Sequence, residues 1–293
     1  MNSPFTTYQM GHNMAFESDV PKAARPSTLY VMHKHMGKYF ISLFAIFIPA
    51  FVSAEDLAIS TLFAQKNVDG TVVISSTKSS QTFIHNNVRA NRRFSPASTF
   101  KVMNTLIAVE EKVITGKDDL FKWNGNIYDL PDWNHDQTLA SAFKFSCVWC
   151  YQELARRIGA EKYRAYLKQS GYGELQSHFE TTLFWLNGSL QISALEQVTF
   201  LKKIVQHRLP FSKAAYETLQ QIMLVEKTPA YSLWAKTGWA TRTKPQVGWY
   251  IGYVETPKDI WFFALNMEIR NEKDLPLRQE LVRAALQAKG IIE

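Results

Sequence analysis

Strand-like apolar segments lie at both ends of the chain, and helix-like segments lie between them. Near the start, residues 71–75 (TVVIS) and 82–86 (TFIHN) flank a short polar stretch and predict a hairpin. Near the end, three further strands are predicted at residues 232–238 (SLWAKTG), 246–255 (QVGWYIGYVE) and 260–269 (IWFFALNMEI). This order predicts an α+β fold with one antiparallel sheet formed by both termini and a helical lobe inserted between them.

Amphipathic patterns between the two groups of strands predict the helices of the lobe. The predicted helices are residues 96–113, 139–145, 148–159, 160–171, 193–207 and 212–224. The second and third of these helices meet near Ser146. Residues 123–138, rich in Trp, Asp and Asn, are predicted to be irregular, and Pro276 opens a last helix that would cover one face of the sheet.

The N-terminal region has the pattern of an export signal. Residues 32–56 (MHKHMGKYFISLFAIFIPAFVSAED) combine a basic start, an apolar run from Tyr39 to Val52 and small residues before Glu55. The run of about 14 residues is shorter than the roughly 20 that a membrane span needs. We therefore expect a signal peptide cleaved after Ala54, a periplasmic location and a single catalytic domain at residues 55–293, with an uncleaved anchor as the alternative.

Charge, histidine and cysteine patterns argue against nucleic-acid binding and against a metal site. The chain carries 33 Lys and Arg against 26 Asp and Glu, a net charge of +7, and its basic stretches are interrupted by acidic or neutral residues. This pattern is typical of ordinary surface, and no nucleic-acid partner is predicted. The scattered His residues and the single C-x-x-C predict no metal site. Cys147 and Cys150 are interpreted as small apolar core residues, with a local disulfide as the alternative.

Lys101 stands in an otherwise apolar helix, where a buried ammonium would be costly. Ser95 and Pro96 fit the N-cap and first helical position, so Ser98 falls in the first turn, beside free backbone N–H groups. Lys101 follows three residues later on the same face. A desolvated lysine has a lowered pKa and can act as a base for a serine nucleophile. The alternative is a lysine that extends to solvent from a capped helix.

Two later segments carry further polar chemistry. Lys236, Thr237 and Gly238 end a predicted strand and could lie at a sheet edge, where a cation and a hydroxyl bind a carboxylate. The glycine would let a ligand approach the backbone. The alternative for this segment is an exposed strand end. Ser146 and Val148 lie at the predicted meeting of two helices.

The three segments together resemble the ordered motifs of the class D (oxacillinase-type) serine β-lactamases. They are Ser98-Thr99-Phe100-Lys101, Ser146-x-Val148 and Lys236-Thr237-Gly238. The blocks SPASTFK, YQELARRIG, FWLNGSLQISALEQVTFL, KPQVGW and ALNMEIRNEKDLPLR are also similar to that family, and the resemblance covers residues 60–293. It implies the fold shared by serine β-lactamases and penicillin-binding proteins, and an amide hydrolase that opens β-lactam rings.

The resemblance also implies a role for each matching residue. Ser98 would be the acylated nucleophile, and Lys101 would react with CO2 to give a carbamate (N6-carboxylysine) that acts as general base. Trp185 would hydrogen-bond this carbamate, although alone it would be interpreted as a core residue. Ser146 would relay a proton to the leaving nitrogen, and Val148 would wall off the lysine.

Substrate binding is implied for a second group of residues. Lys236, Thr237 and Arg278 would hold the substrate carboxylate, although Arg278 alone would be interpreted as ordinary surface. Gly238 belongs to the same binding strand. The backbone N–H groups of Ser98 and Trp239 would form the oxyanion hole.

One position departs from the family pattern. Glu174 in Tyr172-Gly173-Glu174 stands where the family usually has Asn, and the change adds a negative charge and removes donors. We expect Glu174 to face solvent.

Two alternatives to hydrolysis are a β-lactam sensor and a penicillin-binding protein that deacylates slowly. The expected partners are small-molecule β-lactams, with no diffusible cofactor and no membrane after signal cleavage. A homodimer is left open.

Overall fold

The computed structural model describes residues 55–293. Its α-helices are α1 Leu57–Gln65, α2 Asn87–Asn91, α3 Lys101–Glu110, α4 Leu139–Lys144, α5 Val148–Ile158, α6 Ala160–Ser170, α7 Ala194–Val205, α8 Lys213–Met223 and α9 Leu277–Ala288. Its strands are β1 Gly70–Ser76, β2 Thr82–His85, β3 Leu120–Phe121, β4 Gln137–Thr138, β5 Glu174–Leu175, β6 Leu190–Gln191, β7 Leu224–Lys227, β8 Ser232–Ala240, β9 Val247–Glu255 and β10 Ile260–Glu268. Short 3-10 helices are Ala97–Phe100, Pro131–Trp133 and Glu272–Asp274.

A six-stranded sheet in the order β2-β1-β10-β9-β8-β7 forms the centre of the fold. All its neighbouring strands are antiparallel. Strand β1 pairs with β10 near the C-terminus, with Gly70 opposite Met267 and Ser76 opposite Trp261. The prediction of one antiparallel sheet formed by both termini is therefore confirmed, and helices α2 to α8 lie between its two halves in the chain.

Both faces of the sheet are buried, which explains the continuous apolar runs in its strands. Alternate residues of a strand point to opposite faces, so Val72 packs with the side chains of α1 and α9 while Val73 packs with the helical lobe. On the α1 and α9 side, Phe63 and Val282 close the core. Burying each such side chain contributes roughly 1.5–3 kcal/mol. The predicted cover of one sheet face by the last helix is present.

Helix α3 is the core of the lobe. All residues from Lys101 to Val109 are buried, so the helix is enclosed on every side. It packs mainly against α5 and α8. The only charged residue in that buried stretch is Lys101, whose environment therefore decides its protonation state.

The start of this helix differs from the prediction. Ser95 was predicted as the N-cap, but its hydroxyl donates to the Trp185 carbonyl at 2.8 Å. A 3-10 turn, Ala97–Phe100, precedes α3, and Pro96 takes the capping position without a side-chain hydrogen bond. A tertiary acceptor has thus replaced the local backbone partner that the sequence alone suggests for Ser95.

Some elements were not predicted, and one region cannot be compared. Helices α1 and α2 and strand β7 are additions, and β8 continues to Ala240 rather than ending at Gly238 because its pairing with β9 extends to Ala240 opposite Val247. The predicted signal peptide and its cleavage after Ala54 lie outside the described residues. Within residues 55–293, no helix combines the length and apolar character needed to cross a membrane.

Candidate active site

Ser98 and Lys101 lie one turn apart where the 3-10 helix passes into α3. Lys101 Nζ donates to Ser98 Oγ at 3.2 Å. Ala97, just before the serine, has a φ of 47°, a left-handed conformation that is uncommon for a residue with a Cβ. Ser98 is 9% exposed and Lys101 is 1% exposed, so the hydroxyl reaches the surface of the site while the amine lies beneath it.

The surroundings of Lys101 favour its neutral amine. Desolvation lowers the pKa of Lys101 well below its usual value, and the positive charge of Lys236 lowers it further. Within residues 55–293 no carboxylate forms a salt bridge with this lysine, and its Nζ lies 4.7 Å from the centre of the Tyr151 ring. A neutral amine within hydrogen-bond distance of a hydroxyl can accept that hydroxyl's proton.

Ser146 occupies the junction between α4 and α5, as predicted. Its φ of 56° lets the chain leave α4 and enter α5 with three residues between them. Lys236 Nζ donates to Ser146 Oγ at 2.5 Å and to the Thr237 carbonyl at 3.0 Å. Desolvation, with a smaller effect from the Arg278 charge, lowers the pKa of Lys236 to about 7. Two serine–lysine pairs therefore line the same site.

Lys236, Thr237 and Gly238 lie on a free edge of β8, as the sequence suggested. Pairing with β7 stops at Trp234, so the rest of β8 has its outer edge turned to the Ser98 segment. A Cβ on Gly238 would lie 3.0 Å from the Pro96 carbonyl oxygen. Glycine is needed here because the strand and the turn before Ser98 are nearly in contact.

Arg278, expected to hold the substrate carboxylate, is hydrogen-bonded to the backbone of this strand. Its Nη1 donates to the Gly238 carbonyl at 2.7 Å, and its Nε donates to the Leu275 carbonyl at 2.7 Å. Burial lowers the pKa of Arg278 to about 10, which leaves it charged at neutral pH. The guanidinium thus acts on the site through the strand backbone and its positive charge.

Trp185 lies at the base of the site. Its carbonyl accepts hydrogen bonds from Ala97 N at 2.9 Å and from Ser95 Oγ, which fixes the turn before Ser98. Its ring stacks on Phe100, with centroids 5.7 Å apart. The indole Nε1 is buried and has no hydrogen-bond partner within the described chain. This donor is therefore free to bind an acceptor that enters the site.

The structure changes or extends the expectations for three residues. Val148 was expected to wall off Lys101 in the core, but this first residue of α5 is only half-buried. Trp239 contributes its backbone on β8, while its Nε1 donates to Gln246 Oε1 at 2.9 Å. Tyr151 beneath Lys101 was not anticipated, since nothing in the sequence links it to that lysine.

Cys147 and Cys150 are joined by a disulfide with a Cα–Cα distance of 5.5 Å. Both residues are fully buried, as expected, but the preferred interpretation as unlinked apolar residues was wrong and the alternative holds. The folded chain brings the two sulfurs together because the first helical turn places residues three apart on one side.

Glu174 points away from the active site. Its side chain is 72% exposed and forms a salt bridge with Arg93, which also binds Glu196. The prediction that Glu174 faces solvent is therefore confirmed. Gly173 before it has a φ of 60°, and a Cβ there would lie 2.2 Å from the Gln191 carbonyl oxygen. A residue with a Cβ would clash at position 173, so the glycine allows the backbone to lie close to Gln191, which pairs with Glu174.

A cleft of about 500 Å³ opens beside Lys236 and Thr237. Its other walls come from α4, from the end of α8 with β7, and from Tyr250 and Gln279. A cleft of this size accommodates a small organic molecule against Lys236, whose Nζ donates to Ser146 Oγ. Within residues 55–293, no three His, Cys, Asp or Glu side chains are grouped as metal ligands would be.

Comparisons with known proteins agree with this geometry. Residues 62–287 match the family described as penicillin binding protein transpeptidase domain. The chain is 39% identical over 230 residues to Beta-lactamase OXA-48 of Klebsiella pneumoniae, covering 78% of this chain and 87% of that protein. It is 35% identical over 233 residues to Beta-lactamase OXA-10 of Pseudomonas aeruginosa, covering 78% and 88%.

A solved structure gives the same result. FUS-1 (OXA-85), a class D β-lactamase from Fusobacterium nucleatum subsp. polymorphum, superposes with a TM-score of 0.80 at 36% identity, covering 82% of this chain and all of that one. The fold, the paired serines and lysines and the relatives over most of the chain lead to one conclusion. The protein belongs to the class D serine β-lactamases, hydrolases that act on β-lactams.

Proposed function

We propose that Ser98 is the nucleophile of β-lactam hydrolysis and that Lys101 acts as its base in the N6-carboxylated form. The observation that carries the proposal is the 3.2 Å hydrogen bond between Ser98 Oγ and a fully buried lysine whose pKa is strongly lowered. Only the neutral amine can add CO2, and desolvation keeps the amine neutral.

The residues around Lys101 fit a carbamate. The unpartnered Nε1–H of Trp185 supplies a donor, which an anion buried in this apolar pocket requires. When present, the carbamate would supply an anionic oxygen that can accept a proton from the Ser98 hydroxyl. Trp185 would hold that group, and the Ser98 hydroxyl would lie beside it.

The protein residues then divide the remaining steps. Ser98 Oγ attacks the β-lactam carbonyl, and the backbone N–H groups of Ser98 and Trp239 stabilise the developing oxyanion. As the carbon–nitrogen bond breaks, Ser146 passes a proton to the ring nitrogen, with Lys236 as its hydrogen-bond partner. Water then attacks the ester and releases the opened product from Ser98.

Substrate orientation comes from the β8 edge. The Thr237 hydroxyl and the Lys236 ammonium offer donors to the substrate carboxylate, and the charge of Arg278, held at the Gly238 carbonyl, adds attraction. Lys236 is poised between these roles because its pKa of about 7 lets it exchange a proton at neutral pH.

A hydrolysis assay and mass spectrometry of the acylated protein test whether Ser98 is the nucleophile. We expect the purified protein to turn over a chromogenic cephalosporin and a penicillin, and a slow β-lactam to leave an adduct on the Ser98 peptide. Ser98→Ala should abolish turnover and the adduct while the protein stays folded. An adduct on another residue, or an active alanine variant, would show that Ser98 is not the nucleophile. An adduct that persists without turnover would instead favour a sensor or a penicillin-binding protein.

The carbamate is tested separately. In degassed buffer activity should fall, and added bicarbonate should restore it, with a carbamate signal in carbon-13 NMR when labelled CO2 is supplied. Trp185→Phe should need more bicarbonate for the same activity, because the anion loses its donor. Equal activity with and without bicarbonate and no carbamate signal would leave Lys101 as a plain amine base.

We also propose export to the periplasm with cleavage after Ala54. The buried Cys147–Cys150 disulfide supports the proposal, since disulfides persist in oxidising compartments. The intact mass of the protein purified from a periplasmic extract measures the cleavage site. A mass that includes residues 1–54 would contradict the proposal.

A further inference from the structure

The Cys147–Cys150 disulfide directly follows Ser146 in the chain. Cys147 is the N-cap residue of α5, and Cys150 lies in its first turn. Cys147 Sγ also takes the position of a capping acceptor for Cys150 N, at 3.2 Å. Sulfur is a weak acceptor compared with the Ser, Thr, Asn or Asp oxygens that usually cap helices. The covalent bond between Cys147 and Cys150 therefore holds this turn closed.

Ser146 needs such support because its backbone is unfavourable. Its φ of 56° is the left-handed conformation that glycine normally supplies at a helix C-terminus. Glycine cannot serve here, since the hydroxyl binds Lys236 Nζ. A non-glycine residue stays left-handed only when its surroundings hold it. On the α4 side the hydrogen bond from Cys147 N to the Ala142 carbonyl, at 2.9 Å, provides one constraint.

The same turn is connected to the residue before Ser146 through two tryptophans. Trp149, between the two cysteines, donates from Nε1 to the Trp133 carbonyl at 3.0 Å. Trp133 in turn donates from Nε1 to the Phe145 carbonyl at 3.0 Å, just before Ser146. A shift of the first turn of α5 would therefore move both flanks of Ser146.

We propose that the Cys147–Cys150 disulfide is a positioning element for Ser146, holding its hydroxyl against Lys236 for proton transfer. The proposal rests on the proposed role of Ser146 in acylation. Reduction adds two electrons and two protons and gives two thiols, whose sulfurs must then separate to van der Waals distance. Both residues are fully buried in a close-packed core, so this separation displaces the N-cap and the serine before it.

The test uses the full protein in two disulfide-free forms. One is the wild type reduced by a phosphine, with the thiols counted by mass spectrometry, and the other is the Cys147→Ala/Cys150→Ala variant. We expect kcat to fall about tenfold with KM within about twofold, because a small displacement of a proton-transfer group slows chemistry more than binding. In single-turnover experiments acylation should slow while deacylation stays unchanged.

Ile158→Val is the matched control. It removes one methylene from the buried far end of α5, so it weakens the same helix without touching the first turn. Its acylation rate should equal that of the wild type at a temperature below the melting of all forms. If it slows acylation as much as the disulfide-free forms do, the disulfide merely stabilises α5 and the proposal is wrong.

Two other outcomes are also decisive. Unchanged acylation in the reduced wild type overturns the positioning role but leaves the hydrolase intact. If the double variant does not fold, the reduced wild type alone decides the question. A wild type that never hydrolyses β-lactams would instead refute the proposed function, so the two failures are distinguishable.

Discussion

Lys236 should make the protein less stable at neutral pH than in mild alkali. The lysine is 4% exposed, and its pKa falls from 10.5 to about 7 because of desolvation and the nearby Arg278 charge. The unfolded chain therefore binds a proton at this site more readily than the folded protein between pH 7 and 10.5. Stability rises with pH wherever the unfolded state holds more protons.

The size of the effect follows from the shift. The pKa of Lys236 differs between the unfolded and folded states by the fall from 10.5 to about 7. At about 1.4 kcal/mol per pKa unit, protonated Lys236 lowers the free energy of unfolding by about 5 kcal/mol when the pH is below 7. Between pH 7 and 9 the cost falls by about 2 kcal/mol.

Denaturant unfolding of Lys236→Met and of the wild type measures this effect. The variant also loses the hydrogen bond to Ser146, but the neutral amine of Lys236 keeps N–H groups that can make this bond, so the loss is about the same at pH 7 and 9. The stability gap between wild type and variant should therefore shift by up to about 2 kcal/mol in favour of the wild type as pH rises. Buffers are degassed so that Lys101 stays a plain amine.

Lys144→Met is the matched control. Lys144 is an exposed lysine on α4 near the same cleft, so its removal should leave the pH dependence of stability unchanged. A gap between wild type and Lys236→Met that stays constant within about 0.5 kcal/mol from pH 7 to 9 would refute the reasoning. Lys236 would then not lose its proton in this range.

Other substitutions test the geometry of the site. Glu174→Asn should change kcat/KM less than about threefold, since the side chain faces solvent; a tenfold gain in steady-state hydrolysis would contradict this. Gly238→Ala should lower kcat about tenfold or more and destabilise the protein by about 1–3 kcal/mol, because the added methyl group presses on the turn before Ser98. Gly116→Ala, with open space around it, is the control and should leave activity and melting temperature unchanged. Equal behaviour of the two alanine variants would mean that β8 can move freely.

Much of the site was predictable because its chemistry depends on residue type and spacing. Ser98 and Lys101 are three residues apart and therefore lie on the same helix face. The apolar neighbours of Lys101 indicate that it is buried. The sheet was predictable for a similar reason, since Val72, Val73 and their neighbours form a continuous apolar run that must be covered on both faces.

Other features depend on partners that are distant in sequence. The Ser95 hydroxyl, suited to capping a helix, instead binds the carbonyl of Trp185, 90 residues away. Val148 is only half-buried, although its residue type predicts a core position. Tyr151 lies under Lys101 only because α3 and α5 pack together. No local pattern encodes these contacts, so residue type alone misjudged or missed them.

The sequence by itself determined which groups are available: two serines, two lysines, a glycine and a tryptophan in a fixed order, and a sheet that needs both termini. Tertiary structure decided their charge states and distances. The pKa values of Lys101 and Lys236 fall because packing removes water from both, brings the Lys236 charge near Lys101 and brings the Arg278 charge near Lys236. Desolvation and Coulomb interaction depend on three-dimensional surroundings, and these exist only once α3, α5 and β8 have come together.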